Sequence, residues 1–300
     1  MRRFSVLTLA AATLAPATAL ACSAITVVFN GNVLVAGNAD APYSQEMKLL
    51  VSPNRDGLFG RICIGMDTVP GWTPVGMKCM NDQGLAITHA VVPASRTPYD
   101  PDKPHFRHNF LEKIVSECAT VKQAVAMVRA YTLPQEHNAN VHLMLADASG
   151  DAAVVEWVDG EVKVIPRSGP VLFMTNFVLS KPETATGPKS RYARGSRMLS
   201  EVKEASVESL LPVLKEISVY GRVRGQEVGT RNSTIWDLKA RKLYVYYKRD
   251  FDHPLVFDLD QELEKAPRVV ELKALFPDPK PFESGWRDDN GPVQRKPASN

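Results

Sequence analysis

Cys22 owes its chemical potential to what precedes it. Ala19-Leu20-Ala21 is a small-residue cleavage signature, and a cut after Ala21 would make Cys22 the first residue of the mature chain. A cysteine so placed has a thiol that can attack a carbonyl and a free α-amine that can take the thiol's proton. An α-amine titrates near pH ~8 and a thiol near ~8.5, so the two are matched for proton transfer at neutral pH. Threonine works the same way with its own terminal amine. Cysteine directly after a signal is also the bacterial lipoprotein arrangement, in which the sulfur is acylated and cannot catalyse. That pattern takes Leu at −3 and a small residue at −2, whereas Ala19 and Leu20 stand there here. The free cysteine is the better fit.

Three further cysteines remain, Cys63, Cys79 and Cys118. In an oxidising compartment a Cys63–Cys79 bridge can close a loop holding Gly65, Pro70, Gly71 and Pro74. One cysteine is then left over, and Cys118, on an expected helix, is the one expected to be buried and reduced. Histidines offer a competing chemistry: His105 and His108 stand three apart and His89 lies in an expected strand, which would suit a metal site or a Cys–His hydrolase. The His pair ends a proline-rich loop with no Glu or Cys close by, and the cysteine spacing is not that of a zinc site. We expect no metal and no cofactor, and read His89 as a packed strand residue.

The elements that must hold Cys22 begin at once. Ser23–Phe29 alternates around Ile25, Val27 and Phe29, Asn30-Gly31 is a strong hairpin signal, and Val33–Ala36 resumes the apolar pattern. The hairpin register sets Gly37-Asn38-Ala39-Asp40 beside Cys22. Short strands follow at Met47–Val51, Arg61–Met66 and Leu85–Val92, with a turn at Met80–Gly84 and an irregular proline-rich loop over 93–106. Helical periodicity covers Asn109–Cys118 and Val121–Tyr131, the second capped by Thr120, and later Tyr192–Val202 and Val207–Ile217. Between them strands are expected at Val141–Ala146, Ala152–Val158, Val162–Ile165 and Val171–Thr175, then at Ser233–Leu238 and Lys242–Lys248. Strands at both ends and helices in pairs exclude the regular βαβα alternation of a doubly wound fold, and point to an α+β arrangement of two antiparallel sheets with helices outside.

Residues 1–21 have the parts of a secretory signal: Arg2 and Arg3, an apolar run from Phe4 to Ala15, and the small-residue exit. The run is too short to span a bilayer, which takes ~20 apolar residues. We therefore expect a periplasmic or secreted protein without stable membrane insertion. The expected domain runs over 22–276, with a loosely ordered tail over 277–300. Composition is ordinarily globular, with 44% hydrophobic and 23% charged residues, and the net charge of +3 includes Arg2 and Arg3. That balance argues against a nucleic-acid partner. A homo-oligomer is left open.

Cys22 after a signal, Gly37-Asn38-Ala39-Asp40, Met80-Asn81-Asp82-Gln83-Gly84-Leu85-Ala86, Met174-Thr175-Asn176 and Ser190-Arg191-Tyr192-Ala193-Arg194 occur in that order. Together, over residues 22 to about 248, they resemble the N-terminal-nucleophile linear amide C–N hydrolases. That superfamily embraces the choloylglycine hydrolases, the penicillin V acylases and the acyl-CoA:6-aminopenicillanate acyltransferase-like proteins. The resemblance implies a four-layer αββα sandwich and a thioester formed by the terminal thiolate. It implies Cys22 as nucleophile with its α-amine as base, and Asp40 as the carboxylate that orients the amine. It further implies Asn176 as oxyanion donor and Arg191 as the arginine near the thiol.

A neighbouring guanidinium favours the thiolate, and a carboxylate that stabilises the ammonium must act mainly by orienting it. Two departures stand out. Gly37 takes a place where bile salt hydrolases carry arginine, which would leave Arg191 as the main cation. Val91 aligns where an asparagine or tyrosine is usual, so the second oxyanion donor would be a backbone N–H. Both argue against bile salts and penicillin V in particular, and towards the broader acyltransferase-like and amidase branches. The expectation is an exported hydrolase of linear N-acyl amides acting on a small-molecule substrate. Its apolar acyl pocket would be built from loops around 67–77, 93–106 and 177–188. The alternatives are an acyltransferase of the same fold or a non-catalytic lipid-anchored binding protein.

Overall fold

Asn30 and Gly31 both adopt left-handed backbone, φ +49° and +78°, and so form the two-residue turn whose twist suits an antiparallel hairpin. The turn joins β1 (Ala24–Phe29) to β2 (Asn32–Pro42) with Phe29 opposite Asn32 and Ile25 opposite Ala36. Before β1 the Ser23 N–H donates to the Asn38 carbonyl at 3.2 Å, which brings Cys22 level with residues 39–40 as the register requires. The structure is a computed structural model describing residues 22–67, 75–106, 110–133, 139–184, 190–223, 226–276 and 278–280. The expected signal over 1–21, His108, parts of the expected pocket loops and most of the expected tail lie outside the described residues.

The chain continues through β3 (Lys48–Ser52), β4 (Arg61–Met66), β5 (Val75–Asn81), β6 (Leu85–Ser95), α1 (Phe110–Glu117) and α2 (Val121–Ala130). Then come β7 (Ala139–Asp147), β8 (Ala152–Val158), β9 (Glu161–Pro166), β10 (Val171–Met174), α3 (Arg191–Leu199) and α4 (Val207–Glu216). The last stretch holds β11 (Tyr220–Val223), β12 (Gln226–Asp237), β13 (Lys242–Tyr247), β14 (Leu255–Asp258), α5 (Leu259–Leu263), β15 (Arg268–Glu271) and α6 (Leu272–Leu275). Two antiparallel sheets result. The first has the order β10-β1-β2-β12-β13-β14 with β11 on β12, and the second β15-β3-β4-β5-β6-β7-β8-β9.

Side-chain alternation along β1 decides how the layers stack. Ala24 faces the other sheet, in a core shared with Ile62, Ile64, Met80, Met144, Met174 and Trp236. Ile25 and Val27 face outward onto Leu199 of α3 and Leu210, Val213 and Leu214 of α4. On the far side α1 and α2 pack Ile114, Val115 and Val128 against Leu85, Ile87 and Leu143 of the second sheet. The architecture is the expected αββα sandwich. Because both faces of each sheet are covered, β8 (AAVVEWV) is buried at every position and shows no polar alternation. Thr120 caps α2, accepting from the Gln123 N–H, and Ser190 does the same for α3 with Ala193.

Cys63 and Cys79 are joined by a disulfide and are cross-strand neighbours on β4 and β5. Gly76 lies against both sulfurs, where an added Cβ would come within 2.9 Å of Cys79 Sγ and 3.0 Å of Cys63 Sγ. Cys118, immediately after α1, is buried and free. Two expectations need correction. Residues 75–81 are a strand rather than part of a loop, and β12 starts at Gln226 rather than at Ser233. Both segments carry charged or polar residues at inward positions, which broke the apolar pattern a strand is read from.

Candidate active site

Cys22 lies at the mouth of β1 in the space between the sheets, 5% exposed. From β2 the Asp40 backbone N–H bonds to its sulfur. The Asp40 carboxylate is buried and bonded on both oxygens: Arg191 Nη1 donates to Oδ2 at 2.8 Å and Thr230 Oγ1 donates to Oδ1. Thr230 reaches Asp40 because β12 carries one extra residue there. Thr230 pairs with Asp40 and Asn232 with Ala39, so Arg231 is the bulge between them. Arg191 is the first residue of α3, which Ser190 starts, and its Nη2 donates to Asn176 Oδ1. Asn176 follows β10, and its Nδ2 donates to the Val91 carbonyl of β6 at 2.7 Å.

The four residues singled out in the sequence are therefore brought together, with Asp40, Arg191 and Asn176 in one hydrogen-bonded chain and Cys22 at its head. Asn38 braces the same strand: its side chain donates to the Leu214 carbonyl at 3.1 Å, accepts from Ser233 Oγ at 2.7 Å, and its N–H donates to Ser23 Oγ. The loop after Asn176 is held by Glu156 on β8, whose carboxylate accepts from the Leu179 and Ser180 N–H groups at 2.6 and 2.9 Å. His142 lies 3.0 Å from the same carboxylate. Burial pushes the Glu156 carboxyl up, but the hydrogen bonds from His142, Ser180 and Leu179 outweigh it and hold it below the usual range.

The electrostatics correct one expectation. Burial, and after it the Asp40 carboxylate, push the Cys22 thiol above its ordinary value, so Arg191 does not make it an easily ionised thiol. Arg191 is committed to Asp40 and Asn176. The stronger pull towards the thiolate comes from Lys78 on β5, ahead of the Asp40 N–H and of Arg191. Lys78 is 4% exposed, and among the described residues its Nζ has no hydrogen-bond partner. Burial lowers its pKa to about 8 against the pull of Cys22 and Asp40.

Sequence reasoning missed Lys78, Thr230 and Ser233. The one local signal for Lys78 was a lone charge inside Val75-Gly76-Met77-Lys78-Cys79-Met80. At Val91 it is the backbone carbonyl that meets Asn176. His89 is packed, with Nδ1 3.1 Å from the Met77 carbonyl, and burial drives its pKa down to about 4, so it is neutral at neutral pH. His105 lies beside Tyr99, 5.7 Å between ring centroids. Among the described residues no group of three or more His, Cys, Asp or Glu side chains could hold a metal, and no helix is long and apolar enough to cross a membrane.

Residues 30–250 match the family model described as acyl-coenzyme A:6-aminopenicillanic acid acyl-transferase. No curated protein matches the chain. Among solved structures, a variant of the conjugated bile acid hydrolase from Clostridium perfringens superposes with a TM-score of 0.68 at 16% identity, over 83% of this chain and 96% of that one. Penicillin V acylase from Agrobacterium tumefaciens does so with a TM-score of 0.64 at 22% identity, over 84% and 90%. At these identities the likeness is one of fold.

Proposed function

The chain belongs to the acyl-coenzyme A:6-aminopenicillanic acid acyl-transferase family, and on that premise we propose that it is an exported amidase of linear N-acyl amides. In this reading signal cleavage after Ala21 frees the α-amine of Cys22. The amine takes the thiol proton, and the sulfur attacks the amide carbonyl to form a C–S bond. Asn176 donates an N–H to the developing oxyanion, a contribution worth roughly 10²–10³ in rate for one such donor. Collapse breaks the C–N bond, and the leaving nitrogen takes its proton from the α-ammonium. Water, deprotonated by the α-amine, then cleaves the thioester, releasing the carboxylic acid and restoring the thiol. Asp40, pinned by Arg191 and Thr230, orients the amine.

The observation that carries this reading is the unbroken link from the Cys22 sulfur through Asp40 and Arg191 to Asn176. The bile acid hydrolase and penicillin V acylase of the same fold support amide hydrolysis as the reaction type, and the family description supports acyl transfer to an amine as the second reading. Two measurements test it. Intact mass of the exported protein should correspond to a chain beginning at Cys22; an added diacyl group would mean a lipid anchor and defeat the proposal. Incubating that protein with N-acyl amino acids, N-acyl lactones, bile conjugates and penicillins should release free acid, and added amine acceptors would divert the acyl group if transfer prevails.

A further inference from the structure

Two features on opposite sides of Cys22 belong together. On its own sheet, β2 can offer no side chain at position 37, because a Cβ there would stand 2.2 Å from the Ser23 carbonyl oxygen and 3.3 Å from Ala24 Cα. Of the cations on that side, Arg191 is paired with Asp40, and Arg231 in the β12 bulge donates to the Pro42 carbonyl. On the other sheet, Lys78 lies opposite Ile64 on β4, and Ile64 and Met80 both face the space between the sheets in the core that holds Cys22. Lys78 thus carries a buried ammonium into that space with no hydrogen-bond partner among the described residues. An unpaired buried charge is costly, and nothing in the packing of β5 requires one. Counting charges gives it a purpose. Asp40 and Arg191 pair with each other, and of the cations acting on ionised Cys22 Lys78 pulls hardest.

We infer that Lys78 is the counter-charge for the Cys22 thiolate, supplied across the inter-sheet space where β2 has no room for a side chain at position 37. It acts through the sulfur and is a positioning residue in that sense. The inference rests on Cys22 being the nucleophile proposed above. The other groups around the pair are Asp40 on β2, Arg191 on α3, the α-amine released by cleavage, and His89 on β6, which is neutral above about pH 4.

The test is the pH dependence of Cys22 alkylation by iodoacetamide in the mature protein, read by mass spectrometry. In Lys78→Met the midpoint should move up by about one pH unit, so that alkylation near pH 7 slows about tenfold. The melting temperature should hold or rise, because an unpaired buried charge has been replaced by an apolar chain of similar length. Lys78→Arg keeps the charge and should leave the midpoint at or below that of the wild type. An unmoved midpoint in Lys78→Met, a raised one in Lys78→Arg, or a Lys78→Met chain that cannot fold would each overturn the inference, the last by marking Lys78 as structural. Alkylation needs no substrate, so the two readings fail separately. Amide turnover without a midpoint shift leaves the amidase standing and Lys78 discarded, and a shift without turnover does the reverse.

Discussion

The two sheets meet at Cys22 but bring different things to it. The first sheet and its helices bring polar groups that are bonded to one another: Asp40 to Arg191 and Thr230, Asn38 to Ser233 and Leu214, Arg191 to Asn176. The second sheet brings the Val91 carbonyl and the Lys78 ammonium, which has no hydrogen-bond partner among the described residues. A satisfied buried network fixes geometry and contributes to stability, whereas an unsatisfied charge detracts from stability and is retained for what it does to a neighbour. The contrast therefore predicts opposite signatures. Removing a member of the first set should cost stability, and removing Lys78 should cost reactivity.

The largest effect should fall outside both sets. Cys22→Ser should lower amide turnover by about 10⁴-fold or more while circular dichroism and the melting curve stay as they were; unchanged turnover would remove Cys22 from the mechanism. Next, Arg191→Ala leaves the buried Asp40 carboxylate without its cation and should destabilise the fold by about 3–5 kcal/mol in urea unfolding. Its effect on the alkylation midpoint of Cys22 should be smaller than that of Lys78→Met, and a larger one would invert the comparison. Reducing the Cys63–Cys79 bridge, which closes a sequence separation of 16, should cost about 3 kcal/mol by the chain-entropy argument.

Glu156→Gln, weakening the hold on residues 179–180, should cost about 1–3 kcal/mol and raise KM and lower kcat together as Asn176 loosens. The last effect is a slope. The folded Lys78 releases its proton near pH 8 while the unfolded chain keeps it to about 10.5. The unfolded state therefore binds more protons between those values, and Lys78 makes the fold gain stability as pH rises through that window. Subtracting the Lys78→Met curve from the wild type isolates that slope, and a flat difference would mean that Lys78 is not buried as a cation.

Most of the first sheet's contribution was legible because it is local. Asn30-Gly31 dictates its own turn, the turn dictates the register, and the register delivers Asp40 to Cys22 without reference to any distant segment. Asn176 and Arg191 were legible as motifs, though their bond to each other was not, since it depends on how α3 docks beside the end of β10. What could not be read was on β5 and the first half of β12. A strand announces itself by apolar residues at its inward positions, and here those positions hold Lys78 and Thr230. The chemistry of the site erased the pattern that would have revealed the elements carrying it. The strands β14 and β15 were missed for a plainer reason, being four residues long and partly exposed.

The bridge at Cys79 adjoins Lys78 on the same short strand, and it forms only where thiols can be oxidised. Under the reading proposed here, two maturation events then share one address: loss of residues 1–21, which uncovers the amine, and closure of the bridge, which ties down the strand opposite the sulfur. A copy still awaiting export would have an ordinary peptide nitrogen at Cys22 and an untethered ammonium across from it. Latency would be built in twice, and the acyl amides of the cell that makes the enzyme would be safe from it during transit.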